Sequence, residues 1–159
     1  MAAIARLLGV TRVTLFRWVG NRDELLAEIL WRQWDATWRQ ALAEEPGAGP
    51  QYVANVSRHV MREILRAPGI RTLLADDPEY ALRILTSKTG SVQRRVVENV
   101  RALLAEEIGA GRVNATVEAD ALAYAVVRIV ESFIYRDQIA GDEPDIDVPA
   151  RIVALILRP

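Results

Sequence analysis

The chain contains no cysteine and a single histidine, His59, among its 159 residues. The missing thiols exclude a disulfide framework and thiolate chemistry. With one imidazole and no thiolate, no converging set of metal ligands can be read, and no metal or cofactor is expected. Glycine is sparse, at nine residues, and no phosphate-cradling glycine loop occurs. No nucleophile–base pair stands out either, so no catalytic residue is assigned and the chain does not read as an enzyme. No apolar run approaches the roughly 20 residues of a membrane helix. The run from Ala119 is broken by Asp120 and again by Arg128. The start lacks a basic segment followed by an apolar one, so nothing suggests secretion and a cytoplasmic setting is expected. Lysine is almost missing too. Nineteen of the twenty basic residues are arginine, with Lys88 the exception. That bias points to a GC-rich genome more than to a mechanism.

What remains is a globular composition, 51% apolar and 26% charged, sufficient for a core in one or two domains. The net charge of −1 is unevenly placed. Residues 1–22 hold Arg6, Arg12, Arg17 and Arg22 and no acid, which leaves −5 on the remainder. A basic tip on an acidic body is the footprint of a nucleic-acid reader joined to a separate sensor.

The pattern is helical almost throughout. Residues 4–25 read as a short helix, a glycine turn, a second short helix and the capped start of a third. Ala5 is small where two helices must cross. Gly9 follows where a tight turn needs positive φ. Leu15 can pack back beneath the first helix. This spacing fits a helix-turn-helix, whose second helix enters the DNA major groove.

The segment resembles the DNA-binding domain of TetR-family transcriptional regulators. The resemblance rests on Thr11 and Arg12, on Thr14-Leu15-Phe16-Arg17-Trp18-Val19, and on the helix start Asn21-Arg22-Asp23-Glu24-Leu25. Phe16 stands where the family commonly has a tyrosine reaching a phosphate, so that hydroxyl contact is lost. Trp18 and Val19 replace a His-Phe pair, so the packing beneath must differ. The family has a further helix before this motif, whereas Met1 stands at the start of the motif's first helix. The expectation is therefore a truncated reading unit that binds DNA poorly, with Ile4, Leu7, Leu8, Val10, Leu15 and Val19 partly uncovered. Amides of residues 2–19 should then exchange faster than those of 120–138. By this resemblance Thr11, Arg12 and Val13 face base edges. Thr14, Arg17 and Arg22 hold phosphates, and Phe16 sits among them on the same helix.

Asn21 and Glu24 form a capping box. From there Leu26, Leu30, Trp34, Trp38 and Leu42 predict one long helix, ending before Pro46-Gly47-Ala48-Gly49-Pro50. The predicted domains are therefore a DNA-binding region with its connecting helix, 1–44, and a ligand-binding and dimerisation domain, 49–159. In the second, Pro50 opens a helix that Pro68-Gly69 stops. Short helices reach Ala75 and Thr86, and Lys88-Thr89-Gly90 makes a break. Val92 to Gly109 forms the next helix. Asn114 or Thr116 caps a long apolar helix to Ala140. Gly141 to Asp147 is a loop, and Val148 to Leu157 a final helix. The last two helices are apolar over more than one stripe, which a subunit partner would bury.

Tyr124, Arg128, Glu131, Tyr135 and Gln138 recur at helical spacing as a polar stripe. Two readings stand side by side: a structural ion pair at a subunit interface, or the polar wall of a ligand cavity. In the second, Trp34 and Trp38 line the cavity from below, and Tyr80 and Arg83 reach it from the side. His59 is expected in a surface pair with Glu63. The body is also similar to the QsdR-like branch of TetR regulators, through Asp77-Pro78-Glu79, Leu82-Arg83, Arg128 to Tyr135 and the Gly141 to Asp145 loop. That resemblance implies a lactone-type effector.

Taken together, the expectation is an all-α protein. It has a helix-turn-helix joined by a long helix to a helical ligand-binding and dimerisation domain. Its expected function is that of a ligand-responsive, homodimeric repressor of double-stranded operator DNA, releasing it on binding a small apolar effector. The alternative is a helical dimeric interaction or ligand-binding module without DNA binding. DNA-shift assays on this chain and on an N-terminally extended form separate the two.

Overall fold

The computed structural model describes residues 1–86 and 91–158, and among these the regular structure is entirely α-helical. Two short helices, α1 (Ala2–Leu7) and α2 (Arg12–Val19), pack on each other. Gly9 makes the turn between them at φ +67°, a conformation open to glycine at little cost. Thr11 caps α2, its Oγ1 accepting the Thr14 N–H at 3.0 Å. Ala5 and Leu15 are buried, while Ile4, Leu7 and Leu8 are exposed. The expected loss of cover therefore spares Leu15.

The 23-residue helix α3 (Arg22–Glu44) starts at Asn21. The Asn21 Oδ1 accepts the Glu24 N–H at 2.9 Å, and its amide donates to the Glu24 carboxylate at 2.7 Å. This reciprocal pair satisfies a donor that the helix itself leaves free. Helix α4 (Gly49–Arg66) has no side-chain cap of its own residues. Its start is held instead from α7 (Ser91–Gly109), where Glu107 accepts the Gly49 N–H at 2.6 Å. Pro68 stops α4 and at once opens α5 (Pro68–Asp76). Ala67 is both C-cap and N-cap, extended at ψ 114° as a residue before proline prefers. Helix α6 (Pro78–Thr86) is capped by Asp77 Oδ1, which accepts the Tyr80 N–H at 3.0 Å. The break expected at Lys88-Thr89-Gly90 lies outside the described residues.

The long helix expected from Asn114 or Thr116 to Ala140 is divided. Helix α8 (Ala119–Ile134) begins later and ends at Tyr135, where ψ reaches 19°, and α9 (Arg136–Ala140) follows. The break lets Tyr135 stay buried while Arg136 turns outward to pair with Asp142 at 2.8 Å. Helix α10 (Asp147–Ile156) starts on the Asp145 carboxylate, which accepts the N–H groups of Asp147 and Val148 at 2.8 and 2.9 Å.

In the body, α7 packs on α8 and α10 packs on α4, while α3 lies against both α4 and α7. One continuous apolar core runs from Ala27 on α3 to Leu157. Ala5 and Leu15 stand outside it, so the two-helix head has a small buried contact of its own. His59 departs from expectation. It is buried, and its Nδ1 lies 3.1 Å from Glu45 Oε1 at the end of α3, while Glu63 pairs with Arg66. Four-residue spacing allowed the Glu63 pair; the close approach of α3 and α4 presented Glu45 instead.

Candidate DNA-reading head and ligand cavity

On α2 the side chains of Arg12, Val13, Phe16 and Arg17 are exposed, Thr11 at its cap is exposed, and Thr14 is half-buried. Val13, Phe16 and Arg17 lie three and four residues apart and so share one outward face. The Thr11 and Thr14 hydroxyls are hydrogen-bonded to each other at 2.9 Å. No acidic residue occupies either short helix, so all the side-chain charge on them is positive.

Arg22 is directed elsewhere. Its guanidinium lies over the Tyr80 ring, 5.0 Å from the centroid, and Arg83 stacks on the same ring at 5.1 Å. The Tyr80 hydroxyl donates to Asp23 Oδ1 at 2.8 Å, and Arg83 donates to Asp23 Oδ2 at 3.2 Å. Burial, and then the Asp23 carboxylate, push the Tyr80 hydroxyl above its ordinary pKa. Tyr80 and Arg83, expected at a cavity wall, thus clasp the first turn of α3 to α6. A second clasp lies one turn further on. Arg95 of α7 reaches Glu28 at 3.2 Å and covers the Trp31 ring at 5.1 Å.

The body encloses a largely apolar cavity of about 70 Å³. Helix α3 supplies Leu30, Gln33, Trp34, Thr37 and Trp38, α7 supplies Val92, Val96 and Val100, and α8 supplies Val126, Val127, Val130, Glu131 and Ile134. Tyr135 lines it at the helix break. Trp34 and Trp38 stack at 5.8 Å between centroids, with planes 14° apart. The Trp34 Nε1 is buried with no hydrogen-bond partner among the described residues, at a cost of about 1–3 kcal/mol. The space is smaller than the roughly 150 Å³ that holds a benzene ring. A ring-sized guest therefore enters only if these helices or their side chains move apart.

The polar stripe of α8 is split by this geometry. Glu131 and Tyr135 are buried against the cavity, while Tyr124 and Arg128 are exposed. Gln138, on α9 beyond the break, lines a separate outer groove. Arg128 still reaches back to Glu131 at 2.7 Å. Gln93 completes the group, its amide donating to Glu131 at 2.7 Å in the orientation that also satisfies the Leu85 carbonyl. Of the expected cavity residues, then, Trp34, Trp38, Glu131 and Tyr135 come together. Arg128 touches the cavity only through Glu131, and Tyr124, Tyr80 and Arg83 lie outside its lining. The α7 valines and Gln93 were not anticipated. Their only sequence signal is the valine stripe at 92, 96 and 100, which reads equally well as ordinary core.

Desolvation outweighs Arg128 and Gln93 and pushes the Glu131 carboxyl up to about 7. Burial likewise raises the Tyr135 hydroxyl. The sign of the Glu131 effect follows from linkage. A carboxyl raised in the folded state contributes its stability fully below its unfolded value, and that contribution is lost as pH climbs to about 7. Glu131→Gln, which stays neutral, should therefore gain on wild type between pH 5 and 8 by roughly 2 kcal/mol. Denaturant melts at both pH values provide the check; a constant difference would mean that Glu131 does not hold its proton in the folded protein.

Among the described residues no group of three His, Cys, Asp or Glu side chains converges as for a metal ion. No described helix is long and apolar enough to cross a membrane. An exposed cationic helix on a small head, joined by one long helix to a body with an apolar cavity, is the arrangement of a DNA-binding transcriptional regulator.

Residues 48–158 match the family model described as the tetracyclin repressor-like C-terminal domain. The chain belongs to the TetR family of transcriptional regulators, which act by binding operator DNA rather than by catalysis. Its fold is similar to that of the R. erythropolis transcriptional repressor QsdR, with a TM-score of 0.88 and 31% identity. That likeness covers 98% of this chain and 82% of QsdR. The regulator PfmR from Thermus thermophilus shares the fold at a TM-score of 0.53 and 22% identity, over 98% of this chain and 86% of that one. No curated protein sequence is significantly similar to the chain.

Proposed function

We propose that this protein is a ligand-responsive repressor that binds its operator as a homodimer in the cytoplasm and releases it when a small, mainly apolar effector enters the cavity. One observation carries the reading. Helix α3 provides five side chains of the cavity wall, and the first turn of the same helix leads directly from the reading head. A guest larger than the present space must displace that wall, and displacement of α3 carries the head with it. In a dimer this changes the separation of two heads from the roughly 34–36 Å of one DNA turn. The coupling is then a difference in effector affinity between two arrangements of α3. The likeness to the repressor QsdR supports repression over activation. The branch resemblance favours a lactone-like effector.

In the head, Thr11, Arg12 and Val13 face base edges, with Thr14, Phe16 and Arg17 against the backbone. Arg22 joins the phosphate contacts only by leaving the Tyr80 ring. The proposal is tested by operator titrations with and without candidate effectors, found by thermal shift. An effector that stabilises the protein yet leaves operator affinity unchanged would refute the coupling. Arg17→Ala should weaken operator binding and reduce the salt-dependence slope by about one, since one phosphate contact is lost. An unchanged slope and affinity would remove Arg17 from the interface.

A further inference from the structure

We propose that the effector is a neutral molecule, hydrocarbon over most of its surface, whose one carbonyl-type acceptor is read by the Trp34 indole N–H. This rests on the cavity being the effector site. The wall is mostly valine, leucine, isoleucine and tryptophan, and so selects apolar surface. The polar groups at the cavity differ in what they can still offer. The Glu131 carboxyl oxygens already accept from Arg128 and Gln93. An effector seeking that carboxyl must displace a partner. Trp34 Nε1 has no partner to lose. It is a donor only, so what completes it is an acceptor.

The charge of the effector follows from the same inventory. A cation would need a free carboxylate, but Glu131 is committed to Arg128 and Gln93, and Glu63 to Arg66. An anion would need a cation in the lining, and no arginine lines the cavity. Glu63 at the cavity repels one further. A neutral acceptor, such as the carbonyl of a ketone or ester, meets neither penalty. The place of Trp34 on α3 gives the contact a consequence beyond affinity. The bond is made to the helix that carries the head, so an effector with the acceptor favours the displaced arrangement more than one of equal shape without it.

A matched pair of probes tests this: 4-propylcyclohexanone, and propylcyclohexane, which lacks only the carbonyl. Binding is followed through the four tryptophan indole N–H signals by nuclear magnetic resonance, on the full chain. The ketone should bind about three- to tenfold more tightly than the hydrocarbon, the value of one neutral hydrogen bond. It should also shift the Trp34 indole proton downfield. Trp34→Phe should abolish that preference while leaving hydrocarbon binding in place. The wild-type comparison stands by itself if the variant does not fold. Equal affinity for the two probes, with no downfield shift, would overturn the role of Trp34 while leaving the cavity as the binding site. Binding of neither probe would overturn the inference together with the reading on which it rests.

Discussion

Replacing Glu107 with alanine should lower the unfolding free energy by about 1–3 kcal/mol, the usual loss when a buried donor, here the Gly49 N–H, is left without its acceptor. The side chain is 2% exposed. It accepts two hydrogen bonds from the Arg112 guanidinium at 2.8 Å and one from the Gly49 N–H at 2.6 Å. That last bond holds the first turn of α4, where Gly49 sits at φ +70° with the Arg112 carbonyl 3.1 Å from any added Cβ. Loss of the carboxylate thus leaves the helix start unpaired, while the exposed Arg112 guanidinium turns to solvent. Glu107→Gln keeps the shape and should fall between the two. The pH dependence has a definite sign. Arg112, then Gly49, hold the Glu107 carboxyl below its ordinary value despite burial. A depressed carboxyl contributes its stability above the unfolded value, near 4.5, and loses it as pH falls through the folded one. Wild type should therefore lose stability below about pH 4.5 more steeply than Glu107→Gln. Parallel acid limbs would assign the bond no role in stability.

Glu131 responds in the opposite direction and in a different window, between about pH 4.5 and 7. The two carboxyls are both buried and both bound to arginine. What separates them is the number and placement of donors. Glu107 has a bidentate guanidinium and a backbone N–H, whereas Glu131 faces an apolar cavity and receives one arginine nitrogen and one amide. For Glu107 the hydrogen bonds outweigh desolvation; for Glu131 they do not.

Ile156→Glu should convert a dimer into monomer. Ile156 and Leu155 on α10 are apolar side chains left exposed, 39% and 65%, and the Tyr124 ring on α8, which packs on α10, is 57% exposed. If a second copy covers this face, each subunit of the variant brings an unpaired carboxylate into it. An uncompensated buried charge costs about 3–5 kcal/mol, and twofold symmetry repeats the cost. The dissociation constant should rise by more than about a hundredfold. The isolated subunit should notice less, because Ile156 is already partly open to solvent; the unfolding free energy of the monomer should change by no more than about 1 kcal/mol. Sedimentation velocity separates the outcomes. An undisturbed dimer places Ile156 outside the interface, and a monomeric wild type removes the dimer from the proposed mechanism.

The helical class of this protein, its long connecting helix and its two-helix head were legible in the residue order alone. Each depends on contacts between neighbours in the chain. Leu30, Trp34 and Trp38 recur at four-residue spacing, Asn21 caps three residues ahead, and Gly9 supplies the turn. Of the cavity residues singled out in the body, Trp34, Trp38, Glu131 and Tyr135 do meet at the cavity. The remainder depended on partners far away in sequence. Tyr80 and Arg83 found Asp23, 57 and 60 residues distant, and became a clasp between α6 and α3. His59 found Glu45 because two helices cross there. Glu107 caps a helix that begins 58 residues earlier. The break at Tyr135 likewise follows no local signal, since no proline or glycine stands there. Helical periodicity tells which face of a segment is apolar, but not which other segment covers it. The partner of each buried charge, and hence the direction of its pKa, is decided only when the helices pack.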